Sequence, residues 1–488
     1  MADSPARRVT TGVEGLDDIL HGGLTPNRLY LLEGTPGSGK TTLAFQFLMA
    51  GAALKEPVLY LTLSETTAEV MGVAESHGWV LDGVSVSELI PTEAALASSE
   101  EYTVFHPSEV ELSEATRRIL DEVERIKPAR IVLDSLSELR LLSGGALRYR
   151  RQILALKQFF SGRNTTVLLL DDLTSTDRDL QVQSIAHGAL LLEHSVPSFG
   201  QSRRRLSVTK FRGSDFRGGF HDYEIRRGGL EVYPRLVAAE HRKVSSRERL
   251  QSGLAQLDAM LGGGLERGTS TLLQGAAGTG KSTIAALFAV SAAERGERSA
   301  FFIFDESLNT LQSRMRGLGI PFAKHVDAGR IAVRQIDPAE LSPGELVHAI
   351  RRSIVKEDAS LVVIDSLNGY LNSMPDERFL VVQLHELLTY LGQLGVATLL
   401  VAAQHGLVGS QMSMPVDASY LADAVMLLRY FESDGEVRQA LSVIKMRGGE
   451  HERAIRDFSM KGGRITIGEP LRDYQGVLTG VPRRKSRL

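Results

Sequence analysis

The sequence is written twice. TGVEGLDDILHGGL, from Thr11, returns as SGLAQLDAMLGGGL, from Ser252, and the shared Gly, Leu-Asp, Leu and Gly-Gly-Leu positions keep one offset of 241 residues. The same offset maps GTPGSGKTTLA, from Gly34, onto GAAGTGKSTIA, from Gly275. Agreement held in one register over that span marks a duplication, so a fold adopted by one half is adopted by the other.

Farther along the register drifts, as it does when surface loops change length between equivalent units. RIVLDSLSEL, with Asp134, answers LVVIDSLNGY, with Asp365, and TKFRG answers IKMRG, so the order of elements is kept. At 488 residues the chain is too long for one ordinary core. The repeat divides it into domains 1–240 and 241–488, with the join in AAEHRKVSSRE, from Ala238 to Glu248, which is polar and aperiodic.

Within the first half, short apolar runs (LYLLEG, VLYLTL, RIVLDS, TVLLLD) alternate with amphipathic stretches such as TTLAFQFLMAGAAL, EATRRILDEVERI and RRQILALKQFF. Strands that are apolar throughout and separated by helices predict a mostly parallel sheet covered on both faces, a doubly wound α/β unit. Hydrophobic residues at 43% and charged residues at 24% are ordinary for a chain that folds throughout. A net charge of −3 gives no global basic field for duplex binding. With no cysteine, disulfides, thiolate catalysis and cysteine-held zinc are excluded together. MADSPARRVTTG has no apolar signal core, and no apolar stretch is long enough to span a membrane, so a cytoplasmic location is expected.

Both halves contain G-x-x-x-x-G-K-[ST] in full, as GTPGSGKT (Gly34 to Thr41) and GAAGTGKS (Gly275 to Ser282), each between an apolar run and a helix. The glycines allow backbone N–H groups to turn inward around phosphate oxygens, the helix N-terminus adds its positive end, and Lys40 or Lys281 adds a full charge. One such match is compatible with a glycine-rich turn carrying an incidental lysine; two in register are not. Thr41 and Ser282 offer hydroxyls to Mg²⁺, and the strand-end acids Asp134 and Asp365 offer carboxylates, with Asp305 a further metal candidate. A strand-end Asp followed by Ser is also what a helix N-cap looks like.

Hydrolysis needs a group that orients or deprotonates the nucleophile. PVLYLTLSE ends at Glu65 and SAFFIFDE at Glu306, so the candidates are Glu65 beside Ser64, and Glu306 beside Asp305. Neighbours on a strand face opposite ways, so one member of each pair should face the phosphate. Lys210/Arg212 and Lys445/Arg447 bracket an apolar residue (Phe211, Met446) and precede Gly. On a strand both cations share a face and suit a clamp on γ-phosphate charge, including one supplied by a neighbouring subunit; a solvated basic edge strand is the plainer reading.

Together with VMLLRYFE and KMRGGEHERAIRDF in the second half, these motifs resemble the KaiC family of circadian-clock ATPases and autokinases over roughly Val9 to Gly480. The resemblance implies two tandem RecA-like P-loop NTPase domains in a two-tiered homo-hexamer, with Mg-ATP held between subunits and a protein signalling partner, KaiB-like among the options. In the family the first half hydrolyses ATP and the second phosphorylates itself. Carried over, ATP would be held by Gly34, Gly37, Ser38, Gly39, Lys40, Thr41, Thr42 and Leu43, and by Gly275, Gly278, Thr279, Gly280, Lys281, Ser282, Thr283 and Ile284. A neighbour would add Lys210, Phe211, Arg212 and Ser214, or Lys445, Met446, Arg447, Gly449, His451 and Arg453. The family's first-half acidic pair is Glu-Glu where this chain has Ser64-Glu65; in the second half Asp305-Glu306 keeps both acids. The adjacent Ser-Thr phosphoacceptors align with Ser419-Tyr420, which makes Ser419 the candidate acceptor. Where clock proteins carry a longer tail, this sequence runs VPRRKSRL, a basic ending expected to fray.

Two other classes share the fold. A DNA-directed ATPase needs basic and aromatic loops around a strand, and RGSDFRGGFHDYEIRRGG (Arg212 to Gly229) is the nearest match, although the acidic balance makes a nucleic-acid partner the less favoured expectation. A nucleotide-gated scaffold with little turnover is the other, made credible by Ser64. The scattered histidines, His77, His187 and His405 among them, have no ligand spacing.

Overall fold

A computed structural model describes residues 7–89, 107–173, 180–197, 200–240, 248–371, 377–404, 419–479 and 482–484. It divides into two compact units, Met1–Arg235 and Leu236–Leu488. His405 and most of the stretch joining the halves, 241–247, lie outside the described residues.

In the first unit the strands are β1 (Leu29–Gly34), β2 (Val58–Thr62), β3 (Val84–Glu88), β4 (Arg130–Asp134), β5 (Thr166–Asp172), β6 (Gly188–Ser195), β7 (Arg203–Phe211), β8 (Phe220–Arg226) and β9 (Gly229–Tyr233). They form one sheet in the order β3-β2-β4-β5-β1-β6-β7-β8-β9. The pairs from β3 across to β6 are parallel, and β6 to β9 close the sheet as an antiparallel meander. Every residue of β1, β2 and β4 is buried, which is why those segments read as unbroken apolar runs.

The second unit repeats this plan. After the short pair β10 (Arg249–Leu250) and β11 (Leu265–Glu266) come β12 (Ser270–Gly275), β13 (Arg298–Ile303), β14 (Ile331–Gln335), β15 (Ala359–Asp365), β16 (Ala397–Ala403), β17 (Ala424–Ser433), β18 (Glu436–Met446), β19 (Arg456–Lys461) and β20 (Arg464–Pro470). The order β14-β13-β15-β16-β12-β17-β18-β19-β20 matches the first sheet strand for strand. The repeated N-terminal motif also has one job in both units. Asp17 Oδ1 accepts from the N–H and hydroxyl of Thr11, at 2.8 Å each, and Asp258 Oδ1 from those of Ser252 at the same lengths.

Helices cover both faces. On one side of the first sheet the helix Lys40–Ala53 buries Leu43, Phe45, Phe47 and Leu48, and Phe45 stacks on Tyr60 of β2 with ring centroids 4.9 Å apart. On the other, Leu136, Leu139, Tyr149, Ile153 and Leu156 pack over Leu31, Leu61 and Leu133. Each such side chain contributes on the order of 1.5–3 kcal/mol by leaving water, so the helix that follows the phosphate loop is anchored in the core of the unit. Among the described residues no helix is long and apolar enough to cross a membrane.

Three details depart from the sequence reading. The acidic pairs are not on strands, because β2 stops at Thr62 and β13 at Ile303. They lie in turns ahead of helices capped by Thr66 and Ser307, so strand alternation does not choose between their members. The basic ending is partly structured, with β22 (Arg483–Arg484) paired antiparallel to β21 (Tyr474–Gln475). The arginine and aromatic segment Arg212 to Gly229 is divided between a connection and the sheet: Arg212 to Gly219 joins β7 to β8, and Phe220–Arg226 is β8 itself. Phe216 packs on the core, Tyr223 is buried and donates to Ser38 O at 2.6 Å, and Arg217 is paired with Asp18 at 2.9 Å.

Candidate nucleotide sites

Each phosphate loop leaves the carboxyl end of a central strand, β1 or β12, and runs into the helix Lys40–Ala53 or Lys281–Glu294. That edge of a doubly wound sheet is where ligands bind, and the free N–H groups of the helix start suit an anion. Entry into each helix is made by a left-handed glycine, Gly39 at φ 91° and Gly280 at φ 100°. A side chain there would strain the backbone, and its Cβ would fall 2.6 Å from Ile225 Cδ1 or 2.7 Å from Phe458 Cε1.

The loop lysines are buried and folded onto their own loops. Lys40 Nζ donates to Gly34 O at 3.0 Å and Thr35 O at 3.2 Å, and Lys281 Nζ to Gly275 O at 2.9 Å and Ala276 O at 2.7 Å. Burial pulls the Lys281 ammonium down to about 8. Among the described residues only the first lysine makes an ion pair, with Asp172 at the end of β5, 2.7 Å away. The matching strand β16 ends in Ala403, since Gly34 pairs with Asp172 and Gly275 with Ala403.

Asp134 and Asp365 end β4 and β15, the strands next but one to the loops, and both are followed by a cis peptide to Ser. Ser135 takes the N-cap position of the following helix without a side-chain cap, so capping is not what Asp134 does. Its carboxylate accepts from the Thr41 hydroxyl at 3.3 Å and from the Tyr60 hydroxyl. Burial raises its proton affinity, opposed by the Tyr60 bond. Asp365 lies against the Ser282 hydroxyl, is pushed up to about 6 by burial, and has a buried Oδ2 without a hydrogen-bond partner. Hydroxyl and carboxylate thus meet at the loop in both units, which fits a Mg²⁺ whose other ligands are phosphate oxygens and water. Among the described residues no group of three or more His, Asp or Glu would hold a cation unaided.

The remaining acids differ between the units. Glu65 Oε2 is buried without a partner, and burial together with the charges of Asp134, Glu69 and Asp172 raises its carboxyl above the usual range. Glu306 is instead held by Arg314 at 2.7 Å, and Asp305 accepts from the Ser366 hydroxyl. Arg314 also lines a cavity of about 360 Å³ with Gly278, Lys281, Ser282, Thr283 and Met460. Asp172 and Arg314 escaped the sequence reading. TVLLLDD visibly ends in acids, but only the strand order puts it beside β1, and Arg314 is one of several helix arginines until the fold aims it at the loop.

The K-x-R pairs lie elsewhere. Lys210 of β7 pairs with Ala189, which neighbours Leu31 of β1, three residues before Gly34. Strand geometry then puts the Lys210 backbone roughly 14 Å from the loop, toward the amino end of the parallel strands. Its ammonium donates to Ser184 O at 3.1 Å and Ala186 O at 2.8 Å, and Arg212 to Ser184 O at 2.9 Å. In the second unit Lys445 donates to Ser419 O at 2.9 Å and Ala422 O at 2.7 Å, and Arg447 to Tyr420 O at 3.0 Å. The cations of each pair do converge on one segment, and in the second unit that segment carries Ser419.

The family model described as "ATPase: KaiC" matches residues 9–237 and, a second time, 250–472. The chain belongs to the KaiC family of ATPases. The circadian clock oscillator protein KaiC of Parathermosynechococcus lividus is 28% identical over 481 residues, 97% of this chain and 88% of that protein. The circadian clock protein KaiC3 of Synechocystis sp. is 27% identical over 482 residues, 97% of this chain and 94% of that one. KaiC membership makes this a P-loop ATPase with two copies of the family domain and bears out the expected tandem RecA-like fold. Against that background the two KaiC loops of this chain are alike in cradle and unlike in the acids around them.

Proposed function

We propose that the chain is an ATP-dependent signalling protein in which the first unit hydrolyses Mg-ATP and the second transfers phosphate to Ser419. It works as a ring of identical subunits, six by family likeness. The observation that carries the reading is the placement of the K-x-R pairs. They sit at the edge of each sheet away from the phosphate loop of the same unit, so a γ-phosphate reaches Lys210 and Arg212, or Lys445 and Arg447, only when it is held by another subunit. Ser419 lies in that same segment and therefore faces a neighbour's ATP.

The division of labour follows from the acids. Glu65, unpaired and with raised proton affinity, is suited to accept a proton from an attacking water. Glu306 is neutralised by Arg314, which leaves Asp305 to take the Ser419 proton as Oγ bonds to the γ-phosphorus and the bond to the β,γ-bridging oxygen breaks. Mg²⁺, held through Thr41 and Asp134 or Ser282 and Asp365, would screen the phosphate charge. The protein partner is one that distinguishes phosphorylated from unphosphorylated Ser419.

Incubation with Mg-ATP followed by phosphopeptide mapping is expected to find phosphate on Ser419 and none there in Ser419→Ala; a second unit without label would refute the kinase assignment. Glu65→Gln is expected to lower first-unit turnover by about 100-fold with ATP still bound. Unchanged turnover would place hydrolysis elsewhere. The reading as a DNA-directed ATPase is disfavoured, because side chains of the one segment suited to it are engaged within the first unit: Phe216 packs on the core, Tyr223 is buried and Arg217 is paired with Asp18.

A further inference from the structure

The two sites differ in where their acids near the loop come from. In the second unit Asp305 follows β13 and β16 ends in Ala403; in the first, the position of Asp305 is Ser64 and the position of Ala403 is Asp172. One acid has been lost after β2 and another gained at the end of β5. We propose that Asp172 is a catalytic acid of the first ATP site, taking the place of the carboxylate missing at Ser64 and orienting the attacking water together with Glu65. This rests on hydrolysis at the first unit, as proposed above.

The geometry is set by Lys40. Asp172 Oδ1 is 2.7 Å from Lys40 Nζ, the group that grips the terminal phosphates in a loop of this type. A phosphate oxygen bound to the same Nζ at about 2.8 Å lies no more than about 5.5 Å from that carboxylate. Two oxygens so spaced are bridged by one water with ordinary hydrogen bonds on both sides. The carboxylate is aimed by its strand: Gly34 pairs with Asp172 in the ladder, the Leu173 N–H donates to Gly34 O at 3.2 Å, and Asp172 is about 29% exposed, open to solvent on one side. Its charge is felt at both Glu65 and Asp134, so the three acids form one electrostatic group. In the step itself the water oxygen bonds to the γ-phosphorus and the bond to the β,γ-bridging oxygen breaks. The displaced pair leaves with ADP, and the water proton passes through the Asp172–Glu65 pair to inorganic phosphate or solvent.

The test uses the full chain carrying Lys281→Ala, so that phosphate release reports the first site. In that background Asp172→Asn, which keeps shape and removes charge, is expected to lower kcat at least about tenfold while affinity for a fluorescent ATP analogue changes less than about threefold. Ser64→Asp added to Asp172→Asn is expected to restore much of the lost rate, an effect that a purely structural Asp172 would not give. The proposal is overturned if Asp172→Asn turns over within about twofold of its parent while Glu65→Gln is inactive. It is equally overturned if Asp172→Asn loses affinity in step with rate, or if Ser64→Asp restores nothing. A Lys281→Ala parent with no turnover would instead remove first-unit hydrolysis, and this assignment with it.

Discussion

His221, at the start of β8, is among the least exposed polar residues of the first unit, at 1%. Its Nε2–H donates to Arg217 O at 3.0 Å and its Nδ1 accepts from the Arg235 N–H at 2.9 Å, so the ring is held neutral in one tautomer. Burial, aided by the nearby Arg217 and Arg235 charges, pulls it down to about 4 from an ordinary 6.5. Protonation would break the bond from Arg235. Because the folded state releases this proton more readily than the unfolded chain, stability is fully present above pH 6.5 and is lost as pH falls toward 4. Between pH 7 and pH 5 the loss from this residue is about 2 kcal/mol. Urea unfolding of wild type and His221→Gln at the two pH values measures it as the difference between their pH dependences. Equal dependences in the two proteins would show that the ring is not the source. Residues of this kind were invisible in the sequence, where His221 was only one position of the arginine and aromatic segment Arg212 to Gly229. Glu65, Lys40 and Asp134 were legible because their chemistry comes with a spacing. Asp172 and Arg314 were not, because what makes them site residues is the order of strands and the turn of a helix.

At the level of elements, the parallel halves of both sheets followed from runs such as LYLLEG and RIVLDS, since a strand buried on both faces has no polar alternation to hide it. The antiparallel meanders were harder to read. β7 and β19 mix charges with apolar residues because one side faces water, and their partners are chosen by tertiary packing. β19 has a part in the second site that no periodicity predicts: Phe458 and Met460 close against the loop glycine Gly280, with a Cβ there 2.7 Å from Phe458 Cε1 and 2.9 Å from Met460 Sδ. Gly280→Ala should therefore combine a left-handed strain with overpacking and destabilise the second unit by about 2–4 kcal/mol, with loss of ATP binding there. Gly462→Ala is the control, since that glycine is also left-handed at φ 61° but has open space around it. It should cost only about 1 kcal/mol. Thermal unfolding of the two variants separates packing from strain; equal shifts would mean that β19 does not brace the loop.

For the whole molecule the question is whether an ATP site is built from one chain or two. Lys210 and Arg212 hold the segment before β6, and Lys445 and Arg447 the segment before β17, each beyond reach of the loop on its own sheet. If the loop of one copy is completed by the K-x-R pair of the next, the contact is heterologous and closes into a ring. Two defective chains should then complement each other. One carries Lys40→Ala and Lys281→Ala and keeps its arginines; the other carries alanine at Lys210, Arg212, Lys445 and Arg447 and keeps its loops. Each alone is expected to be nearly inactive. In an equal mixture that co-assembles, random neighbours give an intact loop facing an intact pair at about a quarter of the interfaces, and turnover should recover to a comparable fraction of wild type. Native mass measurement of the mixture establishes that both chains share an assembly, so that recovery absent from a mixed ring would mean that each subunit clamps its own nucleotide.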